Sequence, residues 1–296
     1  IIEKILGKWI GRFFSIVLLI SFTIVLAAIL RQYAEFISGS ILPKTPVSVI
    51  ILFILAIAIY PTFHGIGVVG RLAEIFGPLL ILGIIVPSLL GISNLNLHYL
   101  LPLFYDSGIL NIVSGSFAPA GFLTDCVLVV WIYNLSEDHI KKKKYLMMSI
   151  LISGVLYLFT VIFIIATFGV TIASSQLYPF LMLERYISIL GIIQNLDSIV
   201  ITVWILSIFL KICLYLFVTS YGFSRYTQKK SRRRFIFYIA SIVYILSLIP
   251  RNVVEVSILF PAKVGIPYLL PLWAGLPLLL VIVSYMKGKI NNHSIK

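Results

Sequence analysis

Apolar residues in this chain come in long continuous runs, and the breaks between runs are polar or marked by Pro and Gly. A hydrocarbon core of roughly 30 Å takes about 20 residues of helix. The pattern predicts eight membrane-spanning helices, near residues 13–30, 46–63, 72–91, 112–133, 145–168, 196–223, 235–250 and 266–286. The seventh is short for a full crossing; either its flank Ile249-Pro250-Arg251-Asn252 extends it or its neighbours bury its end. A barrel is excluded because strand sequences alternate, whereas continuous apolar runs must satisfy their backbone within helices. The expected fold class is an all-α polytopic membrane protein with one transmembrane domain over residues 1–296. The stretches at 92–111 and 170–195 are amphipathic and are expected to lie on the membrane surface.

Composition agrees with lipid as the solvent. Of 296 residues, 60% are hydrophobic and 11% charged, against about 25% charged in a soluble domain. The net charge of +13 could point to nucleic acid, but that needs a basic face on a folded domain, and these charges sit at the ends of apolar runs. Counted by loop, 17 Lys and Arg fall on one side and five (Arg31, Lys44, Arg185, Arg251, Lys263) on the other. By the positive-inside rule the first side, carrying both termini, is cytoplasmic. The charge is thus a topology signal with some attraction to anionic lipid, and no nucleic-acid partner is expected. Cys126 and Cys213 lie inside apolar runs and read as small hydrophobes, with no disulfide framework. The chain opens Ile1-Ile2-Glu3 without Met or signal peptide, so a preceding amino-terminal piece is expected.

Three features carry candidate chemistry. The fourth span contains Ser114-Gly115-Ser116-Phe117-Ala118-Pro119-Ala120-Gly121, where Gly is a poor helix former and Pro119 has no amide to donate. A helix broken at membrane depth is tolerated only where it is buried in protein or lines a cavity. Its freed N–H groups suit an anion such as an amino-acid carboxylate. The alternative is a Pro kink with small residues for close packing. Gly115, Ser116, Phe117, Ala118, Pro119 and Gly121 are therefore the ligand-binding candidates. Asp125 follows one turn later and should face the interior, because a carboxylate in lipid is costly. Lys211 lies 12 residues, about 18 Å, from the end of its span, too deep to snorkel. It must be paired, neutral or facing water, and Asp125 is its nearest partner by depth. Together these are candidates for ion or proton coupling, or for a purely structural pair.

Other polar positions carry less. Glu74 and Asp197 fall in the first turns of their spans, where the helix dipole favours carboxylates; Asp197 is retained as a further coupling candidate. Glu35, Glu184 and Arg185 read as loop or interface residues. His64, His98, His139 and His293 show no metal-ligand spacing, so neither metal nor cofactor is expected. Gly65-Ile66-Gly67-Val68-Val69-Gly70 has the GxGxxG spacing but links two spans, where tight turning explains it without a dinucleotide. No GxSxG or Walker A pattern occurs, and nothing points to an enzyme. Lys141 to Lys144 and the basic stretch Arg225 to Arg234 read as stop-transfer anchors.

Several segments together resemble the spore germinant-receptor B subunits, the GerAB-type permeases of the amino acid-polyamine-organocation superfamily. They are Leu6-Gly7-Lys8-Trp9-Ile10-Gly11, Arg71-Leu72, Glu137-Asp138-His139-Ile140 with the following lysines and Tyr145, and Leu196-Asp197-Ser198 with Trp204. The resemblance implies a ten-helix, five-plus-five inverted-repeat (LeuT-like) fold with a site between broken first and sixth helices. The eight spans would be helices three to ten, with the first two lacking. Gly115 to Gly121 would then fall on the sixth helix, and Asp125 at a position where the family typically has Glu. The span holding Lys211 would be the eighth helix, which in related carriers contributes to a sodium site that the Lys211 ammonium could occupy. Where the family typically reads Glu-Arg-Phe-Glu-Ser, this chain has Gln194-Asn195-Leu196-Asp197-Ser198, so an ion pair made by the family's Arg is not carried over. The implied role is binding of a small nutrient, an amino acid foremost, to trigger spore germination. The implied partners are a receptor A subunit and a C lipoprotein, in the spore inner membrane or cell membrane. The competing expectation is a proton-coupled secondary amino-acid transporter.

Overall fold

The computed structural model describes residues 2–101, 108–135, 139–186, 197–226 and 232–293. Every regular element among them is helical. Six helices are long and apolar enough to cross a membrane: Lys8–Ser40, Val47–His64, Ile66–Leu90, Lys143–Ser175, Ile201–Tyr226 and Glu255–Lys287. The two other expected spans are built differently. One is a segmented run over 108–135, and the other is Arg232–Ser247, whose 16 residues rise only about 24 Å.

Two compact units emerge, each assembled from separate stretches of chain. The first comprises Ile1–Val69, Gly115–Glu137 and Lys211–Lys296. Its backbone is α2 (Lys8–Ser40), preceded by the short α1 (Ile2–Leu6) and followed by α3 (Val47–His64). Leu18, Phe22, Leu26 and Leu30 recur at every fourth position and are fully buried, as one face of a helix requires. Helix α2 packs against α3, where Ile51 and Ala58 are buried, and against α10 (Arg232–Ser247), where Ile236 and Val243 are buried. Gly11 lets α1 lie against α2, since a Cβ there would stand 2.5 Å from the Glu3 Cα. Gly65, at φ +108°, closes α3 in a conformation that favours glycine. Of the GxGxxG-like run only Gly65 forms the turn; residues 66–70 already belong to α4 (Ile66–Leu90).

The expected end of the first span near residue 30 is corrected: α2 continues to Ser40. Arg31 and Glu35 are one turn apart and pair at 2.6 Å, so the helix carries both charges without exposing either to lipid. Neither is a loop residue. Basic residues also sort to opposite ends of this unit. Arg12 donates to the Tyr226 carbonyl at 3.3 Å and Lys287 to that of Ile5 at 2.6 Å, while Arg31 donates to the Arg251 carbonyl at 3.0 Å.

The second unit comprises Gly70–Ser114 and Asp138–Leu210. Its main element is α7 (His139–Ser175), interrupted at Gly169 with φ +73°. Phe163, Ile164 and Phe168 of α7 form a small core with Leu183 of α8 (Pro179–Tyr186). The Asn96 amide donates to the Ala166 carbonyl at 2.8 Å. Asn96 also caps the 3₁₀ turn Leu97–Leu100. Parts of both expected surface stretches, 102–107 and 187–196, lie outside the described residues. So do Glu137, Asp138 and Gln194 to Leu196.

Candidate functional site

The fourth expected span is where the backbone changes character, though not where Gly and Pro predict. Helix α5 (Gly108–Leu123) stays α-helical through Gly115 to Gly121, with Pro119 inside it. The change to 3₁₀ comes at Thr124–Leu128, followed by the one-turn α6 (Val129–Ile132) and a second 3₁₀ turn, Tyr133–Leu135. At the junction the Thr124 hydroxyl donates to the Gly121 carbonyl at 2.7 Å. A side-chain donor taking a carbonyl three residues back competes with the α-helical ladder. The break therefore sits one turn later than expected and places Asp125 in the tightened stretch.

Beside it, within the first unit, is a cavity of about 180 Å³. Phe117, Gly121, Thr124 and Asp125 form one wall; Val25, Ile29 and Gln32 of α2 another; Lys211 of α9 (Asp197–Tyr226) a third. The remaining wall is unusual. Glu255–Leu259 and Pro261–Leu269 are wound as π-helix, with Phe260 N–H donating to the Glu255 carbonyl and Leu270 N–H to that of Gly265. Pro261 and Pro267 give no amide to an α-helical ladder, and π windings are frequent at functional sites. The helix then runs on as α11 (Leu270–His293), which contributes Trp273.

Asp125 and Lys211 meet in this cavity. The Lys211 Nζ lies 2.5 Å from Asp125 Oδ2. The other carboxylate oxygen, Oδ1, accepts from the Tyr215 hydroxyl at 2.5 Å. Lys211 and Tyr215 are four residues apart on α9, one turn, so both reach the same carboxylate. Tyr215 is fully buried, edge-on to Phe22 at 6.0 Å and 6.4 Å from the Trp273 ring. The Lys211 ammonium stands 5.9 Å from the Tyr215 ring centre, within cation–π range. Two further bonds tie the walls: Gln32 donates to Ser257 at 3.1 Å, and the Trp273 indole to Ser21 at 2.8 Å.

Of the ligand-binding candidates, Phe117 and Gly121 line the cavity. Gly115 and Ser116 are exposed and are not part of its wall. The side chains of Ala118, Pro119 and Asp197 lie outside the described residues; Asp197 opens α9, 14 residues before Lys211. Sequence reasoning missed Tyr215, Gln32, Ser257 and Trp273. Only Tyr215 had a legible signal, its one-turn spacing from a lysine too deep to snorkel.

Six membrane-length helices among the described residues, with a charged pair lining a cavity, make this a multi-pass membrane protein. The family model described as "Spore germination protein" matches residues 1–256, and the chain belongs to that family of spore germination permeases. Spore germination protein YndE of Bacillus subtilis (strain 168) is 27% identical, across 95% of this chain and 77% of its own length. Spore germination protein KB of the same organism is 26% identical, across 97% and 78%. Spore germination protein A2, also from that organism, is 25% identical across 74% and 60%. No solved structure matches.

Proposed function

We propose that this spore germination protein is the nutrient-binding membrane subunit of a germinant receptor. A small nutrient, an amino acid foremost, occupies the cavity beside Asp125 and Lys211, and the change is passed to a receptor A subunit and a C lipoprotein. One observation carries the reading: in a spore germination permease, a largely apolar, partly open cavity of amino-acid size holds the charged side chains of Asp125 and Lys211 together on its wall. Small-molecule sites take this form, an apolar enclosure with a few placed polar groups. The proposed frame is one transmembrane domain with eight spans, equivalent to helices three to ten of the five-plus-five inverted repeat. Both termini are cytoplasmic, following the 17-to-5 division of Lys and Arg, and the membrane is the spore inner membrane.

Gly121→Leu tests the site directly. A Cβ at Gly121 meets nothing within 4 Å, so the added side chain fills the cavity without striking backbone. Spores carrying this variant should keep the protein at normal level and lose the nutrient response; a response unchanged in dose would remove the cavity from the mechanism. A second reading, a proton-coupled secondary amino-acid transporter, draws on the same ion pair, since charge pairs at membrane depth also serve as proton relays. Accumulation of labelled amino acid in proteoliposomes under a proton gradient would favour it, and saturable binding without accumulation favours the sensor.

A further inference from the structure

We infer that the Asp125–Lys211 pair reads the ligand by being split: a zwitterion inserts with its ammonium on Asp125 and its carboxylate on Lys211, so molecules with only one of those charges are excluded. This rests on the cavity being the nutrient site and adds how that site chooses.

The pair is built asymmetrically. Lys211 and Tyr215 hold different oxygens of Asp125, so when the lysine leaves Oδ2 the carboxylate keeps its orientation through Oδ1. Tyr215 is wedged among Phe22 and Trp273 and cannot follow. Lys211, by contrast, ends a flexible four-carbon stem. Its ammonium can swing along the Tyr215 face, where ring and ligand carboxylate share it. Asp125 is the fixed half of the pair and Lys211 the movable half.

The pair is also reachable. Its side chains are 34% and 28% exposed, and both line the cavity. Gly121, one turn before Asp125, leaves open space where a side chain would stand, giving room for the ligand's α-carbon next to the carboxylate. Beyond the charges the ligand meets Phe117, Phe260, Ile266 and Leu269, which suit an aliphatic side chain.

Charge balance supplies the selection. Closed, the pair is neutral. Split by a zwitterion, one ion pair becomes two and no charge is stranded. A lone amine would take Asp125 and leave Lys211 uncompensated, and a lone carboxylate would strand Asp125. A charge left without its partner in a low-dielectric site is strongly unfavourable, whereas an exchange of partners is not.

The experiment uses the purified protein in lipid nanodiscs, with binding followed by calorimetry. Probes are the twenty L-amino acids, isovalerate (valine without its amine) and isobutylamine (valine without its carboxylate). The wild type should be saturated by an aliphatic amino acid and by neither single-charge probe. Asp125→Asn should lose that amino acid by roughly ten- to a hundredfold, the scale of one charged hydrogen bond, and gain isovalerate. Lys211→Met should lose it similarly and gain isobutylamine. Because each single variant strands a charge, Asp125→Asn/Lys211→Met controls for folding; it should lose the amino acid and gain neither probe. Full affinity for the amino acid in the double variant, or unchanged probe preference in folded single variants, overturns the splitting of the pair. A wild type that no amino acid saturates overturns instead the nutrient reading on which it rests.

Discussion

Two helices of this protein have the same length and nearly the same apolar character yet are placed oppositely. Lys8–Ser40 and Lys143–Ser175 each have 33 residues, but half of the most apolar stretch of the first is buried within the protein and only 6% of the second. Hydrophobicity does not separate them, because lipid accepts apolar side chains as readily as a protein interior does. The destinations of their polar groups do. In α2, Ser15, Ser21 and Thr23 bond back onto their own helix, but Ser21 also accepts from Trp273, Arg31 donates to the Arg251 carbonyl and Gln32 donates to Ser257. In α7, Ser149, Thr160, Thr167 and Ser174 turn their hydroxyls back onto carbonyls of their own helix. Inward-bonded hydroxyls occur in both helices; what marks the interior one is polar side chains that also bond to other segments.

The largest effect that would break this contrast is expected at Arg31. Its guanidinium is mostly buried, pairs with Glu35 and reaches the Arg251 carbonyl. Arg31→Met leaves Glu35 without its partner and should cost about 3–5 kcal/mol, measured by reversible unfolding in mixed micelles. A double change, Arg31→Met with Glu35→Leu, should recover most of that loss, because no charge is then stranded. A neutral Arg31→Met would mean that α2 is as loosely held as α7.

Next in size is Gly222, where α9 passes α2. A Cβ there would lie 2.3 Å from Leu19 Cδ2 and 3.0 Å from Trp131 Cζ3, and Leu19 is fully buried. Gly222→Ala should destabilise by about 1–3 kcal/mol, the usual range for overpacking, in the same unfolding measurement. An unchanged midpoint would show that this crossing is slack.

Sequence made the helical class legible, because continuous apolar runs leave the backbone no other solution. It also pointed Asp125 and Lys211 at one another, since two opposite charges at membrane depth have few other partners. It misplaced the irregular turn. Gly115, Pro119 and Gly121 have low helix propensity, but the hydroxyl of Thr124 on the Gly121 carbonyl coincides with the point where the ladder tightens, and propensity scales do not carry that contact. It also ended the first span at residue 30, treating Arg31 as a loop charge, although the one-turn spacing to Glu35 was present. The π-wound wall over 255–269 has no period of its own in the sequence. Its prolines mark irregularity there but not its kind, and Trp273 and Gln32 become site residues only once distant segments pack.

The smallest expected effect has the opposite sign, and it sharpens the contrast most. Gly154 sits in mid-helix in α7, and a Cβ added there meets nothing within 4 Å. Gly154→Ala therefore adds a methyl group to open space while removing the conformational freedom that makes glycine unfavourable inside helices. The isolated protein should gain about 0.5–1 kcal/mol, whereas the same substitution at Gly222 loses stability. A loss at Gly154 would show that α7 packs against its own chain there. A gain in the isolated protein accompanied by reduced receptor assembly in spores would show something different: small residues in membrane helices permit close approach of another helix. The open space at Gly154 would then be where a partner subunit packs, and the exposed face of α7 would divide between lipid and protein instead of belonging to lipid alone.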